Sequence, residues 1–399
     1  MSPMGPRLMS DDTPAKEPLD PEVISWMASI VYLVGTPAVF LFGFIVDNCG
    51  RKIALMITSL SVAMCWALKI YSTETWALIT ARAFLGLTVS GSYVVTPLYI
   101  KEISDDSIRG TLGSLVVLSQ NLGNLVVYLM GTYMSYHCIL WVLLAVPLVH
   151  LLVFTSMPDT PSYLLKSGKT EEARTAVAWL RCRDRTDPVV ESELQKLQLE
   201  LELNKSGKFA GALKTLVTDR GTFRAFRVTL AINSARELCG CVAVLHYASL
   251  IFSRASQGGW VLTPNQQAIV LGVVQMIGSL TASSLVERCG RKRKTSAFYV
   301  FYCPSPKILS SDTSVSVNAV VLCQPLLAGT CLVSGVCMAC AGACVWAGAG
   351  GAGAGAGGAG GAWVPPLALC LAIYCDAAGL QPVPFVVMTE MFSFQVTTV

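Results

Sequence analysis

Residues 46–52, VDNCGRK, recur further along the chain as VERCGRK at 286–292. Each copy ends an apolar run of about 20 residues, the length that an α-helix needs to cross the hydrocarbon core of a bilayer. A weaker pair of segments, at 97–103 and 384–391, repeats in the same order, with a Pro inside an apolar run and a Glu beyond it. Two half-chains repeated in one orientation indicate the layout of a transporter with parallel halves.

The composition agrees with a chain embedded in lipid. Of the 399 residues, 53% are hydrophobic and only 14% are charged, whereas about 25% of residues are charged in an average soluble protein. This composition excludes a disordered chain, a nucleic-acid-binding protein and an ordinary soluble enzyme as first interpretations. The apolar runs predict an all-α polytopic membrane protein with about nine spans. The predicted spans are 23–46, 53–71, 76–99, 112–133, 138–157, 225–252, 264–286, 325–346 and 363–389.

Positive charge predicts how the spans are oriented. Most of the 29 Lys and Arg residues lie in or beside four loops, at 47–52, 100–111, 158–224 and 287–324. The positive-inside rule therefore places these loops in the cytoplasm and the N-terminal tail outside. The loop after the fifth span also carries amphipathic patterns, which predict a small helical subdomain. Its first helix is expected to be capped by Thr170, and its second to run over 189–203.

Three of the predicted spans carry polar or small residues at helical spacing. The stripes comprise Gly113, Val117, Gln120, Asn124 and Gly131 in the fourth span; Asn233, Glu237, Gly240, Val244 and Tyr247, with Arg236 beside them, in the sixth; and Gly272, Gln275, Ser279 and Ser283 in the seventh. Because amides and carboxylates are costly in lipid, such stripes should face other helices or a wet cavity. Amide and carboxylate groups suit the hydroxyl groups of a sugar. The alternative is that the stripes only hold helices together.

Several motifs together resemble the sugar porters of the major facilitator superfamily, and most closely the insect facilitated trehalose/glucose transporters. They are Ser25-Trp26, the two Gly-Arg-Lys loops, Arg82-x3-Gly86, Pro97-x-Tyr99-x2-Glu102 with Arg109-Gly110, Pro158-Asp159-Thr160-Pro161-Ser162-Tyr163-Leu164-Leu165, and Pro382-x-Pro384 with Glu390. Together they cover residues 23–293 and 325–393. The family has twelve spans, and the resemblance implies that the nine spans of this chain match the second to the tenth. The expected fold is therefore an incomplete major facilitator fold.

The resemblance also implies a division of the chain. The predicted segments are an N-terminal tail at 1–22, an N-terminal bundle at 23–157 without the first family helix, a cytoplasmic helical loop at 158–224, the start of the C-terminal bundle at 225–293, an insertion or gene-model artefact at 294–324, and a truncated remainder at 325–399 with a Gly/Ala run at 347–362.

Family positions imply candidate site residues. Gln275 matches a sugar-binding amide of the family, Phe385 stands in place of a Trp, and Gln120 lies one turn from a lost Gln. A Gln-Gln pair of the family is replaced by Arg236-Glu237. Together with the polar stripes, these positions give the candidate substrate-binding residues Gln120, Asn124, Arg236, Glu237, Gln275 and Phe385. The implied gating residues are Asp47, Arg51, Glu102, Arg109, Glu287, Arg291 and Glu390 at the inner helix ends, and His246 and Tyr247 at the outer gate. In the family, the inner groups form ion pairs that close the inner side and separate when it opens.

The leading functional expectation is facilitative transport of a sugar, trehalose or glucose-like, by alternating access. The expected setting is the plasma membrane, with several passes through the bilayer. The charged pair Arg236-Glu237 keeps open a second hypothesis, transport of another, charged solute. The missing helices keep open a third, a truncated membrane protein that does not transport. Since no catalytic motif is present, we expect no enzyme activity, no cofactor, no metal and no nucleic-acid partner. The oligomeric state and proton coupling are not predicted.

Overall fold

The computed structural model describes residues 19–104, 109–204, 218, 220–255, 263–292, 329–340, 342–343 and 364–381. Within these residues the secondary structure is helical throughout. The helices are α1 (Pro21–Cys49), α2 (Arg51–Tyr71), α3 (Thr75–Ile103), α4 (Arg109–Tyr133), α5 (Tyr136–Thr155), α6 (Pro161–Lys166), α7 (Thr170–Arg181), α8 (Pro188–Asn204), α9 (Arg220–Leu238), α10 (Cys241–Ala255), α11 (Pro264–Lys292), α12 (Gly329–Cys340) and α13 (Val364–Cys375), followed by a π-helical turn at Asp376–Leu380. The predicted insertion at 294–324 and the Gly/Ala run lie outside the described residues.

Six of the described helices are long and apolar enough to cross a membrane: α1 to α5 and α11. Their positions agree with the corresponding predicted spans, so the all-α membrane fold is confirmed. Large apolar side chains on α5 remain outward-facing, with Trp141 60% and Leu152 72% exposed. In a bilayer such side chains lie against lipid instead of water, which accounts for their exposure in the isolated chain.

The predicted span 225–252 differs from the structure, which contains two helices there. Helix α9 ends at Leu238 and α10 begins at Cys241. Between them Gly240 has a φ of +74°, a left-handed conformation. Glycine adopts this conformation without the clash that a Cβ atom would cause. Hydropathy detects the apolar composition of such a segment but cannot detect the change in backbone direction.

The chain divides into two units. The first contains residues 3–112 and 130–207, and the second contains residues 113–129 and 208–399.

In the first unit, α1 packs on α3, while α2 packs on α3 and α5. Small residues allow the close approach of α1 and α3. A Cβ atom on Gly86 would lie 2.5 Å from the carbonyl oxygen of Val31, and the Ser90 hydroxyl donates to the carbonyl of Gly35 at 2.6 Å. Small residues serve the same purpose in membrane helix pairs generally. The Gly of the Arg82-x3-Gly86 motif therefore has a packing role here.

Helices α6 to α8 form the predicted subdomain of the first unit. Its core is a separate apolar cluster that includes Leu164, Val177 and Leu194. The second predicted helix is confirmed as Pro188–Asn204. The expected cap is wrong, because Thr170 is the first residue of α7 and Lys169 precedes it as the boundary residue without a side-chain capping bond.

The second unit contains a core shared by α4, α10, α11 and α13. Its buried members are Tyr128, Cys241, Val244, Ala248, Phe252, Ala268, Leu271, Leu369 and Ile373. Glycines of α11 allow its close approach to α4 and α13, as Gly86 does between α1 and α3. A Cβ atom on Gly278 would lie 2.9 Å from the carbonyl oxygen of Tyr374.

The two copies of the repeat have different backbones. In the first copy, Gly50 ends α1 with a φ of +94°, and α2 begins at the next residue. In the second copy, residues 286–292 continue α11 to Lys292. Glycine permits both conformations, and contacts described below hold Gly50 in the left-handed one.

Candidate functional site

A cluster of buried polar side chains lies in the second unit, at the contact of α4, α11 and the π-helical turn. Asn121 has no exposed surface, and Gln381 is 2% exposed. Their amides pair reciprocally: Asn121 Nδ2 donates to Gln381 Oε1 at 3.1 Å, and Gln381 Nε2 donates to Asn121 Oδ1 at 3.3 Å. Asn121 also donates to the hydroxyl of Ser279. Buried amides are retained in an apolar environment when they are bonded in this way.

Gln275 lies one helical turn from Ser279 on α11 and is 1% exposed. The Ser279 hydroxyl donates to the backbone carbonyl of Gln275 at 3.2 Å. The side-chain oxygen Oε1 of Gln275 is buried and accepts no hydrogen bond from any residue that the structure describes. A buried acceptor without a donor costs about 1–3 kcal/mol. A hydroxyl group bound beside Gln275 would supply the missing donor.

The other candidate sugar contacts are placed differently. Gln120 is exposed on α4, and Asn124 is half-buried. Arg236 and Glu237, near the end of α9, form an ion pair of 3.6 Å between Nη1 and Oε1. Phe385 lies outside the described residues. The structure therefore places Gln275 beside the polar cluster, and all six substrate-contact assignments, that of Gln275 included, stay predictions.

Sequence reasoning missed Asn121 and Gln381. Val117 of the predicted stripe is buried, but the buried amide of α4 is Asn121, one position after Gln120 of that stripe, and Tyr128 is buried as well. The spacing of Val117, Asn121 and Tyr128 also fits a helical face. A signal was therefore present, but two adjacent amides cannot be separated by periodicity alone. Gln381 follows the π-helical turn, where the period of an α-helix no longer applies.

A second polar network surrounds the first copy of the repeat, in the first unit. Arg51 donates from Nε and Nη2 to Glu102 Oε1 at 3.0 and 2.7 Å, and from Nη1 to the carbonyl of Val46 at 3.3 Å. The side chains of Arg51 and Glu102 are each 10% exposed. The pair therefore ties the start of α2 to the end of α3 through a largely desolvated ion pair.

Residues 155–163, which link α5 to α6 and begin α6, contact the turn at Gly50 between α1 and α2. Lys52 Nζ donates to the carbonyls of Thr155 and Met157 at 2.8 and 2.6 Å. The Tyr163 hydroxyl donates to the carbonyl of Asn48 at 3.0 Å. A Cβ atom on Gly50 would meet Asp159 Oδ2 at 2.5 Å. The first copy of the repeated motif and the Pro158–Leu165 motif are thus parts of one polar network.

Of the remaining predicted gating residues, the structure describes the side chains of Asp47, His246 and Tyr247. Asp47 pairs with Lys166 at 3.1 Å, but both side chains are exposed. The His246 ring Nδ1 lies 3.0 Å from the carbonyl oxygen of Val242. Tyr247 interrupts α10 with φ −113° and ψ 15°. The side chains of Arg109, Glu287 and Arg291, and all of Glu390, lie outside the described part of the chain.

A shallow surface groove of about 380 Å³ lies in the α7–α8 subdomain and is lined by Arg174, Arg185 and Glu191, among others. An ion pair of 3.1 Å between Arg174 and Glu191 crosses part of this lining. The groove lies in the subdomain and not in the membrane-crossing helices, so it is not a candidate for the transport site.

The helices and their order define the fold of the major facilitator superfamily of membrane transporters. A structure of the major facilitator proton:xylose symporter XylE, bound to 6-bromo-6-deoxy-D-glucose, superposes with a TM-score of 0.65 and 16% identity over 97% of this chain and 76% of that chain. A partially occluded inward-open structure of the xylose transporter XylE from E. coli gives 0.63 and 15% identity over 94% and 78%. At such identities the likeness concerns the fold.

The family described as "Sugar (and other) transporter" matches residues 10–305, most of the chain, and the protein belongs to this family. Facilitated glucose transporter member 8 of solute carrier family 2, from Bos taurus, is 26% identical over 99% of this chain and 75% of that protein. The facilitated trehalose transporter Tret1 of Aedes aegypti is 28% identical over 67% of this chain, which spans 32% of that relative's length. The protein is thus a multi-pass membrane protein whose relatives are transporters and not enzymes.

Proposed function

We propose that the protein carries a sugar, trehalose or glucose-like, across the plasma membrane by alternating access, down the sugar's gradient. The observation that carries this proposal is the buried amide and hydroxyl cluster around Gln275 in membrane-embedded helices. A neutral solute with many hydroxyl groups is the ligand that such a cluster recognises best. Two relatives are named as facilitated transporters of glucose and of trehalose, and these names support the same substrate class.

In this proposal Gln275 supplies an acceptor to a sugar hydroxyl, and Asn121, Ser279 and Gln381 hold the helices around it. The predicted contacts at Gln120, Asn124, Arg236, Glu237 and Phe385 complete the substrate site. Because the cluster is already satisfied apart from Gln275 Oε1, a bound sugar adds a hydrogen bond without breaking one. That arrangement favours binding through a small number of strong polar contacts.

The inner network around Arg51 acts as the inner gate. Arg51–Glu102 is the strongest pair, because both side chains are largely buried and the guanidinium makes two bonds to one carboxylate oxygen. Asp47, Arg109, Glu287, Arg291 and Glu390 are assigned to the same gate, and His246 and Tyr247 to the outer gate. The energy difference between open and closed states of such a gate is only a few kcal/mol, so single ion pairs can shift it.

A second candidate function is transport of a charged solute. The observation in its favour is the pair of charged residues near the end of α9, with Asp376 in electrostatic contact with both. Competition against the labelled sugar would distinguish the two candidates. Organic ions should reduce its exchange if the site takes charged solutes, whereas only unlabelled sugars should reduce it if the site takes neutral ones.

The test of the proposed function is counterflow in proteoliposomes that contain the full chain. Vesicles loaded with unlabelled trehalose or glucose should take up the labelled sugar in a saturable manner. Gln275→Leu, which keeps the volume but removes the acceptor, should raise the half-saturation concentration about tenfold, since a lost hydrogen bond contributes about 0.5–1.5 kcal/mol and desolvation adds to it. Thr281→Val, exposed on the same helix, is the control. Absence of saturable exchange with every sugar tested would contradict the proposal.

A further inference from the structure

The helical subdomain contains the surface groove of about 380 Å³, which the proposed transport function does not use. Two arginines line it, Arg174 of α7 and Arg185 of the link between α7 and α8, together with the hydroxyl residues Thr186 and Ser192. The acidic residue of the lining is Glu191. Two guanidinium groups and one carboxylate leave the groove with a surplus positive charge, which favours an anionic ligand.

These arginines have hydrogen-bonding capacity that the described residues do not use. Arg174 Nη2 lies 3.1 Å from Glu191 Oε2, but the Nε of Arg174 is buried and donates to no acceptor in the described part of the chain. Glu171 Oε1, at 3.9 Å from that Nε, is too distant for a hydrogen bond. Arg185 forms no ion pair with any residue that the structure describes. Because phosphate oxygens accept charge-assisted hydrogen bonds from guanidinium groups, a phosphate would use this capacity.

Thr186 carries a hydroxyl that a protein kinase can reach. The residue is exposed, and it lies in the link 182–187 between the end of α7 and the start of α8. Arg183 and Arg185, also exposed, precede it by three positions and by one. Basic residues in such positions form the kind of charge pattern by which kinases select their substrates. Ser192 differs, because it lies within α8 and donates its hydroxyl to a backbone carbonyl at 2.9 Å.

Asp187, the acidic residue that follows Thr186, already has two partners. Its Oδ1 accepts a hydrogen bond from the backbone N–H of Val189 at 2.9 Å, and its Oδ2 lies 3.5 Å from Arg183 Nη1. The Arg183 side chain remains 59% exposed in this pair, so a kinase can still contact it. Because Asp187 occupies the first turn of α8, the arginines of the groove and not the helix end are the expected ligands of a phosphate.

We propose that Thr186 is a phosphorylation site whose phosphate binds Arg174 and Arg185 in this groove. The loop 158–224 is expected in the cytoplasm, where ATP and protein kinases are present. In the transfer, Thr186 Oγ1 forms a bond to the γ-phosphorus of ATP, the bond from that phosphorus to the bridging oxygen breaks, and ADP leaves. The hydroxyl proton passes to the catalytic base of the kinase. The inference is independent of the proposed sugar transport.

The phosphate changes the contact between α7 and α8. It adds a charge of about −1.5 to −2 at neutral pH, which competes with the single charge of Glu191 for Arg174. The pair Arg181–Glu193, at 2.5 Å and with side chains 19% and 27% exposed, lies outside the groove lining and keeps the two helices joined. Phosphorylation therefore exchanges one ion pair at the edge of the subdomain and leaves its apolar core intact.

The first test treats the purified full chain, in detergent, with ATP and the catalytic subunit of cAMP-dependent protein kinase, which prefers basic residues before its target hydroxyl. Peptide mass spectrometry should find phosphate at Thr186, and Thr186→Val should carry none on the peptide 186–196. Arg183→Gln should lower the rate of modification about tenfold, since it removes the basic residue three positions before the target. Lys169→Gln, which replaces a cation that is 56% exposed and outside the groove lining, should be modified like the wild type.

The second test measures whether the groove holds the phosphate. Alkaline phosphatase should release phosphate from Arg174→Gln about tenfold faster than from the wild type, because this variant lacks a charged donor. Arg185→Gln should also release it faster, and it leaves the Arg174–Glu191 pair in place, so it carries the test if Arg174→Gln does not fold. Glu191→Gln should release it more slowly than the wild type, because the competing carboxylate is gone. Lys169→Gln is again the control.

Two outcomes would overturn the inference. Absence of phosphate at Thr186 in the folded wild type would contradict the modification site. Equal rates of release from the wild type, Arg174→Gln and Arg185→Gln would show that the phosphate lies free of the groove, available to a separate phosphate-binding protein. Neither outcome affects the proposed sugar transport, and absence of counterflow would not affect this site, so the two proposals fail separately.

Discussion

At the scale of single residues, the Arg51–Glu102 pair gives the sharpest test of the inner gate. Glu102→Gln should slow counterflow about tenfold, because a hydrogen bond to a charged group contributes about 1.5–3 kcal/mol and Arg51 would keep a buried, poorly paired charge. A weakened inner closure depopulates the outward-facing state, which is required for uptake. Initial rates of labelled sugar exchange measure the effect.

The comparison for this prediction is Asp47→Asn. Asp47 also pairs with a cation, but its side chain is 66% exposed, and such surface pairs contribute about 0–1 kcal/mol. Its rate should fall clearly less than that of Glu102→Gln. Equal losses in the two variants would mean that burial of the ion pair is not what makes the gate.

A second residue-scale prediction concerns Gly50. Alanine at this position would have to adopt a backbone with φ +94° and ψ 167°, a region essentially confined to glycine that costs about 1–3 kcal/mol, and its Cβ would meet Tyr163 Cε1 at 2.8 Å in addition to Asp159. Gly50→Ala should therefore lower the melting temperature of the purified protein by several degrees. Size-exclusion chromatography after heating measures the surviving fraction.

Gly43 is the matched control within the preceding helix. A Cβ atom there would meet nothing within 4 Å, and alanine is favoured over glycine in a helix by about 0.5–1 kcal/mol. Gly43→Ala should melt at or above the temperature of the wild type. If the two variants have the same melting temperature, the backbone strain expected from alanine at position 50 is absent.

The residues of the polar cluster show how far single positions can be predicted. Gln275 was identified both by its stripe and by the family resemblance, and it is buried as a membrane-embedded amide should be. Asn121 was missed because its neighbour Gln120 has the same chemistry, and only the packing of α4 decides which amide turns inward. Gln381 was missed because its contact spans more than two hundred residues of sequence, so no local pattern contains it.

At the scale of helices, long apolar runs were predictable and interruptions were not. The predicted span 53–71 and the helix Arg51–Tyr71 agree closely, as do 112–133 and Arg109–Tyr133. Membrane insertion depends on summed hydropathy, which the sequence contains directly. The break at Gly240 depends on the backbone angle of one residue, which hydropathy does not encode. The π-helical turn at Asp376 is missing from the prediction for the same reason.

The break itself can be tested by replacing its glycine. Gly240→Ala would place a Cβ atom 3.5 Å from Met338 Cε, an ordinary contact, so the penalty is the left-handed backbone and about 1–2 kcal/mol. We expect the variant to favour a straighter α9–α10 segment, to elute as a folded monodisperse species and to exchange sugar several-fold more slowly. Chromatography and counterflow measure the two effects separately.

Gly272 provides the contrasting variant for that test. Its Cβ would lie 3.1 Å from both Leu125 Cδ1 and Tyr128 Cδ2, so Gly272→Ala should disturb packing and reduce the folded yield in chromatography. A Gly240→Ala protein that exchanges sugar at the wild-type rate would show that the interruption has no part in transport. A Gly240→Ala protein that fails to fold would show that the break is structural.

At the scale of the whole molecule, the repeat and the distribution of charge predict the same membrane topology. Both Gly-Arg-Lys segments and the α6–α8 subdomain are expected on the cytoplasmic side, because the basic residues of the chain are concentrated there. The structure supports the association of the first segment with that subdomain, since Lys166 and Tyr163 contact the residues before Gly50. The helix that contains the second segment is continuous, so the sequence repeat does not require identical local backbones.

Epitope insertion tests this topology on the complete chain. Gly168 is a suitable site, because it lies in an exposed turn with a φ of +78° and with nothing within 4 Å of its Cβ position. A tag inserted after Gly168 should bind antibody only after the cells are permeabilised. A tag inserted after Met134, in the short link between α4 and α5, should bind antibody on intact cells. Immunofluorescence of both proteins measures the two accessibilities.

The two tags report opposite sides of one helix pair, so they test orientation without relying on transport. Helix α5 connects the two insertion sites and is long enough to cross the membrane once, which requires the tags to differ in accessibility. Detection of the Gly168 tag on intact cells would place the basic loops outside and exchange the sides assigned to the inner and outer gates. Equal accessibility of both tags would contradict α5 as a membrane span, and with it the arrangement of gates on opposite faces of the membrane.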